Sequence, residues 1–318
     1  MAKKKTEEKC KFKSKIGGQA LIEGIMMRGI DKSAMACRLP NGEIDVEEWE
    51  INNGKNRPWY KKTPFVRGVF NFVDTLVEGY KCISKSADKQ MVDDDEEEPS
   101  KFEAWLEKKL GNKMMPILTT IATIIGVLLA IGLFVFTPTF IVKLFDNYID
   151  SNFLLTLIEG GIKIAIFIVY LWLTSKLKDI QTTYEYHGAE HKTIACYEAG
   201  EELTVDNIKK HLRFHPRCGT SFIIIVLIVS ILVFSVVTWS SRLKRMILKL
   251  LLLPLVMGIA YEIIKLAGRF SNPFTKIISA PGLALQRLTT REPNEKQIEV
   301  AIAAMEKVIP EDIEEDRW

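Results

Sequence analysis

The run ILTTIATIIGVLLAIGLFVFT, residues 117–137, decides the fold class of this chain. It carries no charge, and at about 1.5 Å per residue it spans roughly the 30 Å of a bilayer's hydrocarbon core. Working outward, residues 153–174 form a second apolar run, in which Glu159 and Lys163 stand four apart and can pair on one helix face. A third runs from Ser221 to Trp239 and a fourth from Met246 to Ala267. The pattern predicts a mainly α-helical polytopic membrane protein with about four transmembrane helices. The 138–152 loop has one basic residue, Lys143, whereas the 175–219 loop has seven, so the positive-inside rule places both termini and the second loop in the cytoplasm. Arg242, Lys244 and Arg245 between the last two spans count against this orientation but are outnumbered. The expectation is a multi-pass protein of the cell membrane, with membrane lipid as its immediate partner.

Before the first run lies a small α+β N-terminal cytoplasmic region, residues 1–92. A lysine-rich lead gives way to Gly17–Gly29, whose glycines at both ends and at Gly24 predict a shaped loop or short strand. Ala34–Leu39 and Glu43–Ile51 flank Pro40-Asn41-Gly42, a strong hairpin signal. Phe65, Val69, Phe72, Val73, Leu76, Val77 and Tyr80 then recur at helical spacing, predicting a helix that packs on the hairpin or lies in the membrane interface. The acidic stretch 93–100 reads as a solvated linker, and Phe102–Leu110 as a short amphipathic helix. Residues 101–273 form the membrane domain, with a cytoplasmic histidine-rich loop at 176–219, and 274–318 form C-terminal cytoplasmic or interfacial helices. Within the last part Pro281-Gly282 is expected to break an interfacial segment, and Asn294 with Gln297 to cap a final helix.

Composition narrows the function. A net charge of +3, without an arginine-rich or aromatic RNA-binding motif, points away from nucleic acid. The five cysteines have no framework spacing and read as reduced thiols. All four histidines, His187, His191, His211 and His215, fall within a single stretch of the loop, with Cys196 and Cys218 beside them. Imidazole is the commonest metal ligand, and thiolate is a zinc ligand. If Thr183–Tyr197 is helical, His187 and His191 lie one turn apart on one face, the spacing of His-x-x-Glu-His zinc sites. Glu190 borders that face as a general base or as a support for a ligand. Thr204 can cap a second helix that carries His211 towards His215, although Pro216 disfavours helix at His215. Cys218 follows at a turn, and Glu262 stands in the fourth span near its cytoplasmic end. The third ligand is thus left open among His211, His215, Cys218 and Glu262, and the expected cofactor is a divalent metal of the zinc type.

Four segments carry a resemblance: Gly17–Gly29, His187–His191, His215–Ser221 and Gln286–Pro293. Together they resemble the YqhQ-like family of bacterial membrane proteins, a domain of unknown function, over nearly the whole chain. The resemblance implies a metal-dependent enzyme of unassigned reaction. The residues are read accordingly as a metal-dependent hydrolase at the cytoplasmic membrane face, with a peptide or membrane protein as substrate. A non-enzymatic scaffold or sensor with a structural metal is the rival. A transporter ranks last, because the few charges in the spans make a poor ion path.

Overall fold

The computed structural model describes residues 11–51, 57–90, 109, 111, 114–145, 148–236, 242–270 and 272–317. The lysine-rich lead up to residue 10, the acidic run and nearly all of 102–110 lie outside them. Two compact units make up the chain. The first combines Met1–Met91 with Tyr170–Trp318, and the second is Val92–Val169. This differs from the linear four-part division, because the N-terminal strands fold with the C-terminal helices.

In the first unit Gly17–Leu21 (β1), Gly24–Arg28 (β2), Lys32–Arg38 (β3) and Ile44–Glu50 (β4) form an antiparallel meander. The glycine-rich segment is therefore a hairpin, with Leu21 opposite Gly24 and Glu23 at the turn in the left-handed region, φ 47°. The second hairpin follows the Asn-Gly signal, and Gly42 takes φ 90° there. Side chains alternate across the sheet. Ile25, Met27, Ala34 and Ala36 join the core built with Tyr186, Ala189, Ile298 and Met305, while Met26, Met35 and Cys37 pack with Cys82 on the other face. Cover on both faces explains why β2 is apolar from Gly24 to Met27 instead of alternating.

The helix α1, Val66–Gln90, supplies one cover. The other comes from α5, Lys178–Glu198, and α10, Glu295–Glu306. The expected cap of α10 is present as a reciprocal pair between Asn294 and Gln297. Between α5 and α10 run the short helix α6, Val205–Lys210, then α7, Gly219–Ser235, α8, Arg242–Arg269, and α9, Pro273–Thr289. Contrary to expectation, Pro281-Gly282 does not break α9, which continues through it. A Cβ at Gly282 would lie 2.3 Å from Ser221 Oγ, so the glycine lets α9 pack closely on α7, and this packing supports the turn that lost a proline N–H.

In the second unit α2, Met114–Ile131, passes through a π-helical turn at Gly132–Phe136 into α3, Thr137–Lys143. The helix α4, Asn152–Thr174, begins in this unit and carries the expected Lys163–Glu159 pair at 2.6 Å. Among the described residues three helical stretches are long and apolar enough to cross a membrane: Ile117–Lys143, Phe153–Thr174 and Ile247–Arg269. The third sequence candidate, Ser221–Trp239, corresponds to the shorter apolar helix α7, and the end of that run at Trp239 lies outside the described residues.

Candidate metal centre

The centre is assembled on α5, whose residues from Gly188 to Thr193 are all buried. Helical spacing brings His187 and His191 together edge to face, with ring centroids 4.4 Å apart. Residues 289–293 cross directly over this turn. Arg291 N–H donates to Tyr184 O at 2.8 Å, and a Cβ on Gly188 would stand 1.9 Å from Arg291 O. Gly188 is therefore required by a close backbone approach rather than by chemistry.

That crossing orients the first imidazole. His187 Nδ1 lies 2.8 Å from Thr289 O, and His191 Nδ1 lies 2.7 Å from Arg213 O. A carbonyl oxygen only accepts, so each Nδ1 carries a proton, and in the neutral form of either ring the lone pair is on Nε2. Backbone carbonyls that lock the tautomer in this way are the usual outer partners of metal-binding histidines. His187 Nε2 lies 3.1 Å from Cys218 Sγ. His191 Nε2 is buried with no hydrogen-bond partner. One donor atom from each of His187, His191 and Cys218 lies within 4.8 Å of the others.

Cys218 caps α7, its Sγ accepting from Thr220 N–H at 3.4 Å. A helix N-terminus favours thiolate. Burial opposes the charge, but His187 and His191 outweigh it and hold the thiol well below its ordinary value. The same pairing acts on His187, where burial resists the proton but the Cys218 thiolate holds the imidazole up at about 9. Glu190 is buried beside them, and burial raises its carboxyl above the ordinary value while His191 and His187 pull the other way. Its Oε2 has no hydrogen-bond partner. The carboxylate packs on β1, where a Cβ at Gly18 would come within 2.9 Å of Glu190 Cδ.

The other sequence candidates are placed elsewhere. The helix α6 stops at Lys210, and His211 follows in extended backbone, so His211 and His215 do not share a helix face. His211 Nε2 lies 3.2 Å from Glu201, in a separate group with Cys196. His215 sits behind the centre, its ring centroid 5.6 Å from that of His191, but its Nε2 faces Arg217 at 3.2 Å. Gln286 clamps its backbone, accepting from His215 N–H at 2.8 Å and donating to its carbonyl at 2.7 Å. Glu262 is bonded by the Arg67 guanidinium and by the Phe65 N–H at 3.2 Å. The structure thus brings together His187, His191, Cys218 and Glu190, and not His211 or Glu262.

Sequence reasoning missed the Thr289 and Arg213 carbonyls, since a backbone acceptor has no residue signature. It also missed the Gln286 clamp, for which the Gln286–Pro293 resemblance was the available signal.

His215 makes a pH prediction. Burial first, with the Arg217 charge, pushes it down to about 4 against the favourable Glu198 carboxylate. A depressed folded value means that its stabilising contribution is complete above the unfolded value of about 6.5 and is lost as pH falls towards 4. The loss is on the order of 3 kcal/mol. Thermal midpoints between pH 7 and 4 should fall less steeply in His215→Gln than in the wild type, and parallel curves would refute this assignment.

Comparison with known proteins places the chain. A family model described as "Protein of unknown function (DUF1385)" matches residues 63–311. The chain is 32% identical over 294 residues to the uncharacterized protein YqhQ of Bacillus subtilis (strain 168), covering 92% of each. No solved structure matches it. The family model takes in α5, the Cys218 turn and the 289–293 crossing, and the chain belongs to the DUF1385 family, as the four sequence segments had led us to expect.

Proposed function

We propose that this protein is a metal-dependent hydrolase at the cytoplasmic face of the membrane. Four spans would anchor it, with both termini in the cytoplasm. The most apolar stretch of Ile117–Lys143 has none of its residues buried within the protein, and that of Phe153–Thr174 only 6%, which supports lipid contact. The seven basic residues of the 175–219 loop support the orientation.

The observation that carries the metal reading is the buried His191 Nε2. It is a lone pair without a partner, fixed by its tautomer beside an imidazole and a thiol. Burying such a group uncompensated costs about 1–3 kcal/mol, which a ligated cation would remove. His187 Nε2, His191 Nε2 and Cys218 Sγ would hold the ion, a donor set that suits zinc. When bound, such an ion supplies Lewis acidity that lowers the pKa of water and polarises a carbonyl. Glu190 takes the proton of the attacking water at Oε2 and returns it to the leaving group. Burial raises this carboxyl, which makes it a stronger base than an exposed carboxylate. Peptide bonds are the substrate class that the His-x-x-Glu-His spacing favours.

Glu190→Gln tests this reading in nanodisc-embedded protein, against a broad set of fluorogenic peptides. Metal content should stay unchanged while turnover falls by about 100-fold or more. Undiminished turnover would sink the general-base role. The second reading, a closed structural centre with Glu190 as fourth ligand, rests on the equally partnerless Glu190 Oε2 and requires the variant to lose its metal.

A further inference from the structure

Against the β1–β2 hairpin lies a second feature that the metal reading does not use. A cavity of about 210 Å³ opens between the β1–β2 hairpin and the segment that enters α1. Its lining includes Lys15, Arg28 and Arg57, and none of its lining residues is acidic. Gly17 forms part of the wall with nothing within 4 Å of its Cβ position, so a ligand can approach the backbone there without meeting a side chain.

The cations are held in place in different ways. Arg28 Nη1 pairs with Glu78 at 2.7 Å, and Lys15 Nζ donates to Glu315 O at 2.5 Å. Arg57 has a buried Nε with no hydrogen-bond partner, and the Nε of Arg28, which pairs through Nη1, is likewise buried without one. Burial first, and then the like charge of Arg28, work against its guanidinium, while Tyr261 and Asp74 favour it. A buried cationic donor left unbonded, next to a second guanidinium and in a cavity without a carboxylate, is costly unless an anion completes it.

We propose that this cavity binds a phosphate group, held by Arg57, Arg28 and Lys15. Guanidinium forks suit tetrahedral oxyanions, and with Glu78 offsetting Arg28 the charge left on Arg57 and Lys15 matches a phosphate group. The volume is below the roughly 300–1,000 Å³ of sites that enclose drug-sized ligands, so the cavity takes a phosphate-sized group and leaves the remainder outside. Gly18 belongs both to this wall and to the contact with Glu190, which puts the bound phosphate on the other side of one residue from the candidate centre. The inference rests on the cavity's own residues and does not depend on hydrolysis.

The test uses full-length protein in an uncharged detergent, titrated with inorganic phosphate and followed by calorimetry and thermal midpoint. A second arm uses nanodiscs of phosphatidylcholine with and without phosphatidic acid, which carries the same group on a lipid. Saturable binding of phosphate in the first arm identifies a soluble source, and stabilisation by phosphatidic acid alone identifies a lipid headgroup. In whichever arm responds, Arg57→Gln should weaken binding by about tenfold or more, and Lys15→Gln by a smaller factor. The proposal is overturned if neither ligand binds the wild type, or if both variants bind as the wild type does. Should Arg57→Gln fold poorly, Lys15→Gln decides alone. Metal analysis of the same preparations separates the two readings. Metal without phosphate binding counts against this site only, and phosphate binding without metal counts against the hydrolase only.

Discussion

His191→Ala is expected to empty the candidate metal centre. Wild-type protein purified without chelator should carry about one equivalent of a divalent, zinc-type ion, and the variant should carry almost none. The imidazole contributes the partnerless Nε2, and its Nδ1 bond to Arg213 O fixes the lone pair towards His187 and Cys218. Loss of an outer partner of a metal ligand costs about 10–100-fold in affinity, and loss of a ligand should exceed that. His187→Ala and Cys218→Ser should act in the same direction, whereas His211→Ala should leave metal content unchanged because His211 is held by Glu201. Elemental analysis of the four proteins beside the wild type is the measurement. Equal metal content in wild type and His191→Ala would end the metal reading altogether.

The second large effect is steric. Gly188→Ala places a methyl 1.9 Å from Arg291 O, a contact that neither the buried helix nor the crossing backbone can relieve by a rotamer change. We expect a loss of about 3 kcal/mol or more. Metal content should fall as well, because the displaced segment carries the Thr289 carbonyl that orients His187. Gly161→Ala is the control. It is also helical, but nothing lies within 4 Å of its Cβ position, so the change should be neutral or stabilising by up to about 1 kcal/mol. Thermal midpoints of the two variants decide the matter. Equal losses would show that the crossing over α5 yields, and that its closeness is not what sets the site.

A short motif in this chain therefore does two jobs that its letters do not separate. In His187–His191 the ends present imidazoles, Glu190 presents a carboxylate to Gly18, and Gly188 opens the surface for the 289–293 segment. The distant segments that carried the family resemblance meet here in space. Arg291 bonds Tyr184 O, Gln286 clamps His215, and Gly18 abuts Glu190. Their joint presence in one family is understandable as a single packed assembly around α5.

What the sequence by itself determined is local. Apolar length marked the stretches now seen as α2 with α3, α4, α7 and α8, because an uninterrupted apolar helix needs no distant information to be recognised. Asn41-Gly42 set the second hairpin, Asn294 with Gln297 set the start of α10, and a spacing of four put His187 and His191 on one face of α5. The tertiary structure alone decided which third residue joins them. His211 was lost to the centre when α6 stopped at Lys210, and Glu262 was taken by Arg67, 195 residues away in the chain. Cys218 was brought in by the start of α7, and Pro281 was kept inside α9 by close packing at Gly282. Periodicity and capping are written in neighbouring side chains, but convergence on a site depends on where helices end and which backbones cross. Those are outcomes of packing between segments that no local pattern encodes.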